Sequence, residues 1–221
     1  MGAVSRVSSG IRPGGLTRAG IACAALDFVD REGLDALSMR RLAQELGAGT
    51  MTLYGYFTDK DDLLDAVVES AAAAYAIEPA TGDWRQRLGD VARQLRKGLS
   101  AHPSLVQLRL RRPILSPGAM RGTEMAMEAL LEAGLDPREA ASAFRVIFLY
   151  AFGFTAFSAP DLTPELRRRA RAAAAELPEA DFPIVTAALD EMVSTLGGEE
   201  EFERGLELIL DGIADRAKPA G

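Results

Sequence analysis

The sequence predicts an all-α protein, and three observations support this fold class. Apolar residues recur at helical spacing, as Ala22, Leu26 and Val29 do in the first long segment. Glycine and proline interrupt these segments at intervals typical of helix ends. No alternating polar and apolar pattern of useful length appears, so strands are not expected. The 221 residues suffice for one large domain or two small ones.

The first elements follow from their capping residues. Residues 1–15 are rich in glycine, serine and proline and are expected to form a flexible arm. Thr17 is a candidate N-cap for a first helix that ends at Gly33. The apolar stripe between these two residues indicates that one face of this helix is buried.

Three further helices are predicted before the first domain boundary. Ser38 caps a short second helix, which Gly47 ends. A third helix covers roughly residues 50–57, and a fourth opens at Asp59 and continues toward Tyr75.

Proline and glycine around Pro79 mark a boundary between two domains. Residues 16–78 are expected to form the first domain and residues 79–221 the second. Further helices are predicted in the second domain at about 84–100, 103–111, 117–134, 137–158, 163–176, 182–196 and 199–217.

Composition excludes several classes of protein. Hydrophobic residues make up 48% and charged residues 26% of the chain, which excludes a disordered or fibrous protein. A single cysteine, Cys23, and a single histidine, His102, exclude a disulfide framework and a metal site with several Cys and His ligands. No long unbroken apolar run or N-terminal apolar segment is present, so we expect a soluble cytoplasmic protein without membrane association.

The net charge of −7 is unevenly distributed. Residues 1–60 carry a net charge of +1 and the remaining residues −8, and the first 26 residues hold three arginines and no acid. An acidic protein binds nucleic acid only through a local positive surface, for which the N-terminal end is the candidate. On charge alone, a solvated basic tail is the more common explanation.

The segment from residue 38 to residue 57 meets the requirements of a helix-turn-helix. Ala43 is small enough to let two helices approach each other. Gly47 can adopt the positive φ that the turn needs. Leu53, six residues later, can fill the corner between the helices. Helix-turn-helix motifs place their second helix in the DNA major groove.

Hydroxyl groups surround this predicted corner. Thr50, Thr52, Tyr54 and Tyr56 are expected on the exposed side of the third helix, where hydroxyls suit phosphate oxygens. Lys60 follows at the start of the next helix, whose free amides favour a phosphate. Ordinary half-buried packing remains the alternative for either tyrosine.

These residues resemble the DNA-binding domain of the TetR (tetracycline repressor) family. The most diagnostic element is Leu-Tyr-Gly-Tyr-Phe-Thr-Asp-Lys at residues 53–60. The Arg112-Pro113 pair, the helix ending at residues 130–135 and the tail at residues 197–209 resemble the C-terminal domain of tetracycline repressors. The resemblance covers about residues 16–217.

The resemblance implies a role for each matching residue of the first domain. Ser38 would meet a phosphate, and Arg40 would reach a base or the backbone. Base readout would fall to two residues of the recognition helix, Thr50 and Met51. Backbone contacts would come from Thr52, Tyr54, Tyr56 and Lys60. By hypothesis, an extended footprint would involve Arg6, Arg12 and Arg18.

The second domain is expected to form a homodimer. Residues 143–157 are apolar almost all round, so this helix should be buried on most faces. The last helix has an apolar face made of Phe202, Leu206, Ile209, Leu210 and Ile213. Two such helices from each chain would form a four-helix interface, in agreement with the family. A dimer presents two recognition helices about 34 Å apart, which predicts double-stranded DNA with a palindromic operator as the partner.

A small-molecule effector is expected among the middle helices. The candidate ligand-binding residues are His102, Met120, Met125, Phe144, Arg145, Phe148 and Phe152. A stripe of methionine or phenylalanine is more often plain core, and His102 before Pro103 more often caps a helix. Leu108 stands where tetracycline repressors have a histidine that holds magnesium. We therefore expect an apolar or aromatic effector without a metal or cofactor.

The leading prediction is a dimeric repressor that an effector releases from DNA. A regulator without a small ligand, or one that activates, is the alternative. A helical enzyme is a third hypothesis, but His102 and Cys23 have no evident partner groups in the sequence, so no catalytic residues are predicted.

Overall fold

The computed structural model of the chain describes residues 16–74, 81–111, 117–157, 164–195 and 197–217. Within these residues there are twelve α-helices and no strand, which confirms the predicted all-α class. The helices in chain order are α1 (Arg18–Glu32), α2 (Met39–Glu45), α3 (Thr50–Tyr54), α4 (Lys60–Ala74), α5 (Trp84–Ala101), α6 (Pro103–Arg111), α7 (Pro117–Glu132), α8 (Pro137–Phe157), α9 (Pro164–Ala175), α10 (Pro183–Ala187), α11 (Leu189–Ser194) and α12 (Glu199–Ala214).

The predicted capping residues begin and end the first helices. The Thr17 and Ser38 side chains accept hydrogen bonds from first-turn amides of α1 and α2, at 3.1 and 3.2 Å. Asp59 does the same for α4 at 2.8 Å. Gly33 ends α1 with a φ of +86°. Side-chain oxygens therefore satisfy amides that a helix start leaves without a partner.

Two predicted helices differ from the structure. The helix expected at residues 50–57 ends at Tyr54, because the Gly55 amide is shared between two carbonyls of α3 and the chain tightens into a turn. The helix expected at residues 182–196 is divided into α10 and α11 at Ala188, whose φ of −99° and ψ of 9° depart from helical geometry. The predicted arm and the boundary at Pro79 lie outside the described residues.

Helices α1 to α4 share one hydrophobic core, which we call the N-terminal core. Its most deeply buried side chains come from all four helices and the turns between them: Ile21, Leu37, Leu42, Leu53, Phe57 and Leu63. Leu108 of α6 is also buried in this core. Leu53 is fully buried, so it fills the corner of the helix-turn-helix as predicted.

A second core joins α5, α7, α8 and α12. Its fully buried members include Leu88, Leu130, Ile147, Phe202 and Leu206. The apolar face of α12 thus packs inside its own chain, and the prediction that this face forms the dimer interface is wrong. The periodicity of a helix shows that a face is buried but not which surface covers it.

Ion pairs flank the contact between α5 and α12. Arg93 pairs with Glu203 at 2.7 Å, and Arg85 pairs with Asp211 at 2.6 Å. The hydrogen bonds that Arg93 donates to Glu203 lower the pKa of the Glu203 carboxyl and raise the pKa of the Arg93 guanidinium. These pairs hold the last helix against the first helix of the second core.

Helix α8 is less buried than its sequence predicts. Four residues along one face are buried: Ala140, Ile147, Ala151 and Phe152. On the other side Val146 is 52% exposed, Leu149 49% and Phe157 88%. The helix is also long and apolar enough to cross a membrane by composition alone. Its packing against α5, α7 and α12 accounts for the buried face, and no described residue of the single chain covers the exposed face.

Candidate DNA-binding surface and ligand cavity

The turn between α2 and α3 has the geometry of a helix-turn-helix. Gly47 adopts a φ of +63°, which an L side chain would strain. Ala43 is buried at the corner, and its carbonyl accepts a hydrogen bond from the Ala48 amide at 2.9 Å. The closed turn therefore places α3 at a defined angle to α2.

Helix α3 presents most of its predicted contact residues to solvent. Met51 is 80% exposed and Tyr54 47% exposed, and Thr52 is exposed as well. Thr50 is half-buried at the start of the helix. An exposed methionine on a short helix stabilises no core, so its position is consistent with contact to a partner. We call the predicted contact residues together the helix-turn-helix surface: Ser38, Arg40, Thr50, Met51, Thr52, Tyr54, Tyr56 and Lys60.

Two hydroxyl groups of this surface already make bonds within the chain. The Ser38 oxygen accepts the bond that caps α2, which leaves its hydrogen available to a phosphate. The Tyr56 hydroxyl donates to the Leu16 carbonyl at 2.6 Å. The hydrogen of Tyr56 is thus directed at the protein, so this residue fixes the start of α1 and would contact DNA only as an acceptor or through its ring.

The cationic side chains near the helix-turn-helix surface differ in the contacts that they make within the protein. Arg40 is exposed and Lys60 half-buried, and neither makes an ion pair with another described residue. By contrast, Arg41 donates to the Ala36 carbonyl at 3.1 Å and lies over the Phe28 ring. Among the described residues of this surface, Arg40 and Lys60 are therefore the two cations available to a phosphate.

Arg18 joins the start of α1 to the turn after α3 and to α4 at the protein surface. Its guanidinium donates to the Tyr56 carbonyl and to Asp62, and lies 4.4 Å from the centroid of the Phe57 ring. Hydrogen bonds from Arg18 and from the Thr58 amide lower the pKa of Asp62 to about 2. Arg18 is therefore already engaged in joining α1 to α4, contrary to the hypothesis that it extends the footprint. Arg6 and Arg12 lie outside the described residues.

A cavity of about 500 Å³ lies between α4, α5, α6, α7 and α8. Five of the seven predicted ligand residues line it: Met120, Phe144, Arg145, Phe148 and Phe152. The structure thus brings Met120 of α7 and Phe152 of α8, which are 32 positions apart in the sequence, into the wall of one cavity. Its size falls within the range of small-molecule sites.

The two remaining candidates, Met125 and His102, lie elsewhere. Met125 packs against the second core, as a methionine stripe commonly does. His102 ends α5, and its Nδ1 bonds the Asp30 carboxylate of α1. The amide of Ser104 also donates to Asp30, at 3.3 Å. His102 thus connects the two cores and is absent from the cavity wall.

Sequence reasoning missed part of the cavity wall. Gln94, Arg109 and Thr123 supply further polar groups, and α4 contributes Val68 and Ala72. The α4 residues continue the apolar pattern that the sequence assigns to core. No local signal separates a residue facing a cavity from one facing a packed neighbour.

Helix α4 links the cavity to the helix-turn-helix. Its second half lines the cavity, while its first turn follows α3 and packs in the N-terminal core. Glu69 of α4 accepts a hydrogen bond from the Gly118 amide of α7 at 3.0 Å. A Cβ added at Gly118 would lie 2.8 Å from Ala72, so glycine permits this close contact. Helix α4 is therefore in contact with both the cavity and the core of the helix-turn-helix.

The described residues contain no group of three or more His, Cys, Asp or Glu side chains that could hold a metal ion. In place of the family's histidine, Leu108 is buried in the N-terminal core rather than in the cavity wall.

Two family models match the chain. Residues 21–67 match the bacterial regulatory proteins of the tetR family, and residues 78–217 match the tetracyclin repressor-like C-terminal domain. The HTH-type transcriptional repressor DrrR1 of Streptomyces coeruleorubidus is 36% identical over 94% of this chain and 80% of that protein.

Solved structures agree with these matches. Apo ActR from Streptomyces coelicolor superimposes with a TM-score of 0.82 at 31% identity, over 95% of this chain and all of that one. ActR in complex with actinorhodin gives a TM-score of 0.81 at 32% identity, over 92% of this chain and 99% of that one.

Proposed function

The chain belongs to the TetR family of bacterial regulatory proteins, and on that premise we propose that it is a cytoplasmic, dimeric transcriptional repressor. It binds a palindromic operator, and a small apolar or aromatic molecule releases it. The observation that carries this proposal is the connection, through α4, of an exposed recognition helix to a cavity of ligand size.

The residues of the helix-turn-helix surface make two kinds of contact with DNA: some bind the phosphate backbone and others bind base edges. Arg40, Thr52, Tyr54 and Lys60 bind phosphates, which fixes the orientation of α3 on the duplex. Thr50 and Met51 reach base edges in the major groove, where the methionine side chain contacts a thymine methyl group.

The exposed apolar face of α8 is the proposed dimer interface. Val146, Leu149 and Phe157 lie along it, and all three side chains are about half exposed or more. A monomer rarely leaves such a run of large apolar side chains in solvent. A twofold axis along this face buries it against its copy and sets two α3 helices on successive major grooves.

Effector binding shifts the population between two arrangements of α4. A ligand that fits the cavity in one arrangement better than the other favours that arrangement, and α4 carries the change to α3. The structure of ActR with actinorhodin supports this proposal, since it holds a small molecule in a protein of similar fold. An open cavity of this volume also favours an effector over the alternative of a regulator without one.

Selection of bound duplexes from a random pool tests the proposal. We expect enrichment of one palindrome whose half-sites lie about one helical turn apart, near 34 Å. Failure to enrich any sequence, or enrichment of an unpaired half-site, would contradict a dimeric repressor.

A further inference from the structure

The polar groups in the cavity wall indicate the charge of the ligand. Among the described residues, four polar side chains line the cavity: Gln94, Arg109, Thr123 and Arg145. No carboxylate appears in the described wall, although the whole chain carries a net charge of −7. The cavity is thus a local positive environment inside an acidic protein.

Both arginines are suited to hold an anion. Arg109 is half-buried on α6 and lies 5.4 Å from the centroid of the Phe148 ring. This contact engages the face of the guanidinium and leaves its N–H groups free to donate in its plane. Neither Arg109 nor Arg145 pairs with an acid among the described residues.

Glu69, an acidic residue next to the cavity wall, already interacts with other groups of the protein. Glu69 accepts the hydrogen bond from the Gly118 amide and pairs with Arg121 at 4.0 Å. A cationic ligand would therefore meet two arginines and, among the described wall residues, no carboxylate, which opposes its binding.

Three phenylalanine rings form a row within the apolar part of the wall, which also includes aliphatic side chains such as Val91, Leu95 and Leu99. Phe144, Phe148 and Phe152 follow one another by one turn of α8, with centroids 6.1 and 5.9 Å apart. The planes of the second and third rings differ by only 15°. A flat ring system can pack along this row with its acidic group beside the arginines.

We propose that the cavity binds a planar aromatic acid, whose anionic oxygens accept hydrogen bonds from Arg109 and Arg145 while its rings pack on Phe148. The inference rests on the proposed function only in treating the cavity as the effector site. Arginine suits this role because its planar donors match a carboxylate or sulfonate in pairs.

Two fluorescent probes that share one ring system test the charge preference on the full chain. One is 8-anilinonaphthalene-1-sulfonate, and the other is N-phenyl-1-naphthylamine, which lacks the sulfonate. We expect the sulfonate to bind at least about tenfold more tightly, with Arg109→Gln and Arg145→Gln each removing about tenfold of its affinity. The uncharged probe should change by less than about twofold.

Two further variants locate the probes. Arg138→Gln, on α8 but absent from the cavity wall, is the matched control and should leave both affinities unchanged. Phe148→Leu should weaken both probes, which places them in the cavity. Equal affinity of the wild type for the two probes, or no effect of Arg109→Gln and Arg145→Gln, would overturn the inference.

Duplex affinity is measured on the same preparations. If the wild type binds DNA but has equal affinity for the charged and the uncharged probe, this inference alone is overturned. Absence of DNA binding by the wild type would overturn the proposed function instead.

Discussion

Single residues of the helix-turn-helix surface are expected to contribute in different ways. Lys60 offers a charge that any phosphate attracts, whereas Met51 offers apolar contact that depends on the base. Tyr56 and Arg18 resemble contact residues in sequence, but their polar groups bond within the first domain. The sequence pattern therefore identifies the residue types of a DNA-binding surface. It does not distinguish side chains that face solvent from side chains that bond within the protein.

Replacing Lys60 with alanine should weaken binding about equally on all duplexes. Removing one phosphate contact releases one counterion fewer, so the slope of log affinity against log salt should flatten by ~1. Thr50→Ala and Met51→Ala should instead change which sequence is preferred. Fluorescence anisotropy on an operator and on an unrelated duplex measures both effects, and identical losses on both duplexes for all three variants would contradict the assigned roles.

Asp62→Asn should reduce stability near neutral pH by about 1 kcal/mol, since the Arg18 side chain is about half exposed and solvent screens the pair. The pKa of Asp62 is lowered to about 2 in the folded protein. Its contribution is therefore present above the unfolded pKa of 3.8 and lost as the pH falls toward 2.

Urea unfolding at several pH values checks this dependence. The difference between wild type and Asp62→Asn should shrink between pH 4 and pH 2. Asp27→Asn, on the exposed side of α1, is the control. A difference that stays constant over this range would show that the Arg18 pair does not stabilise the fold.

Whole elements follow the sequence closely where local chemistry determines them. Thr17, Ser38 and Asp59 cap helices as predicted, because a capping side chain needs only the amides of its own helix. The surface that covers an apolar face depends on distant residues: the apolar face of α12 packs inside its own chain, whereas one face of α8 is exposed in the single chain. The cavity wall shows the same limit, since Arg109 and Ala72 reach it only through packing of separate helices.

The turn between α2 and α3 depends on the backbone conformation of Gly47. Gly47→Ala should lower the free energy of unfolding by about 1 kcal/mol, because the left-handed conformation strains an L side chain. No atom lies within 4 Å of the added Cβ, so the cost comes from the backbone alone. Gly47→Asn should cost less, since asparagine tolerates this region. Urea unfolding at one protein concentration compares them, and equal stability of all three proteins would contradict the turn geometry.

The whole molecule carries a net charge of −7, which opposes approach to a duplex. In the proposed complex, binding would therefore depend on Arg40, Lys60 and the exposed hydroxyls of α3 rather than on overall charge. A second copy in the proposed dimer would double these contacts and supply the second half-site.

Leu149→Arg should convert the proposed dimer to a monomer and reduce operator affinity by about tenfold or more. An arginine on this face would be buried without a partner in the dimer. Ile184→Arg changes a more exposed apolar residue, 81% exposed on α10 against 49% for Leu149, and should leave the dimer intact. Sedimentation equilibrium distinguishes these outcomes, and a Leu149→Arg protein that remains dimeric would refute the assignment of this face.

The affinity of the full chain for double-stranded DNA as a function of salt concentration tests the central claim most directly. Log affinity should fall linearly as log salt rises, with a slope near −0.9 for each phosphate that the protein neutralises. No measurable binding to any duplex in dilute buffer would contradict the account.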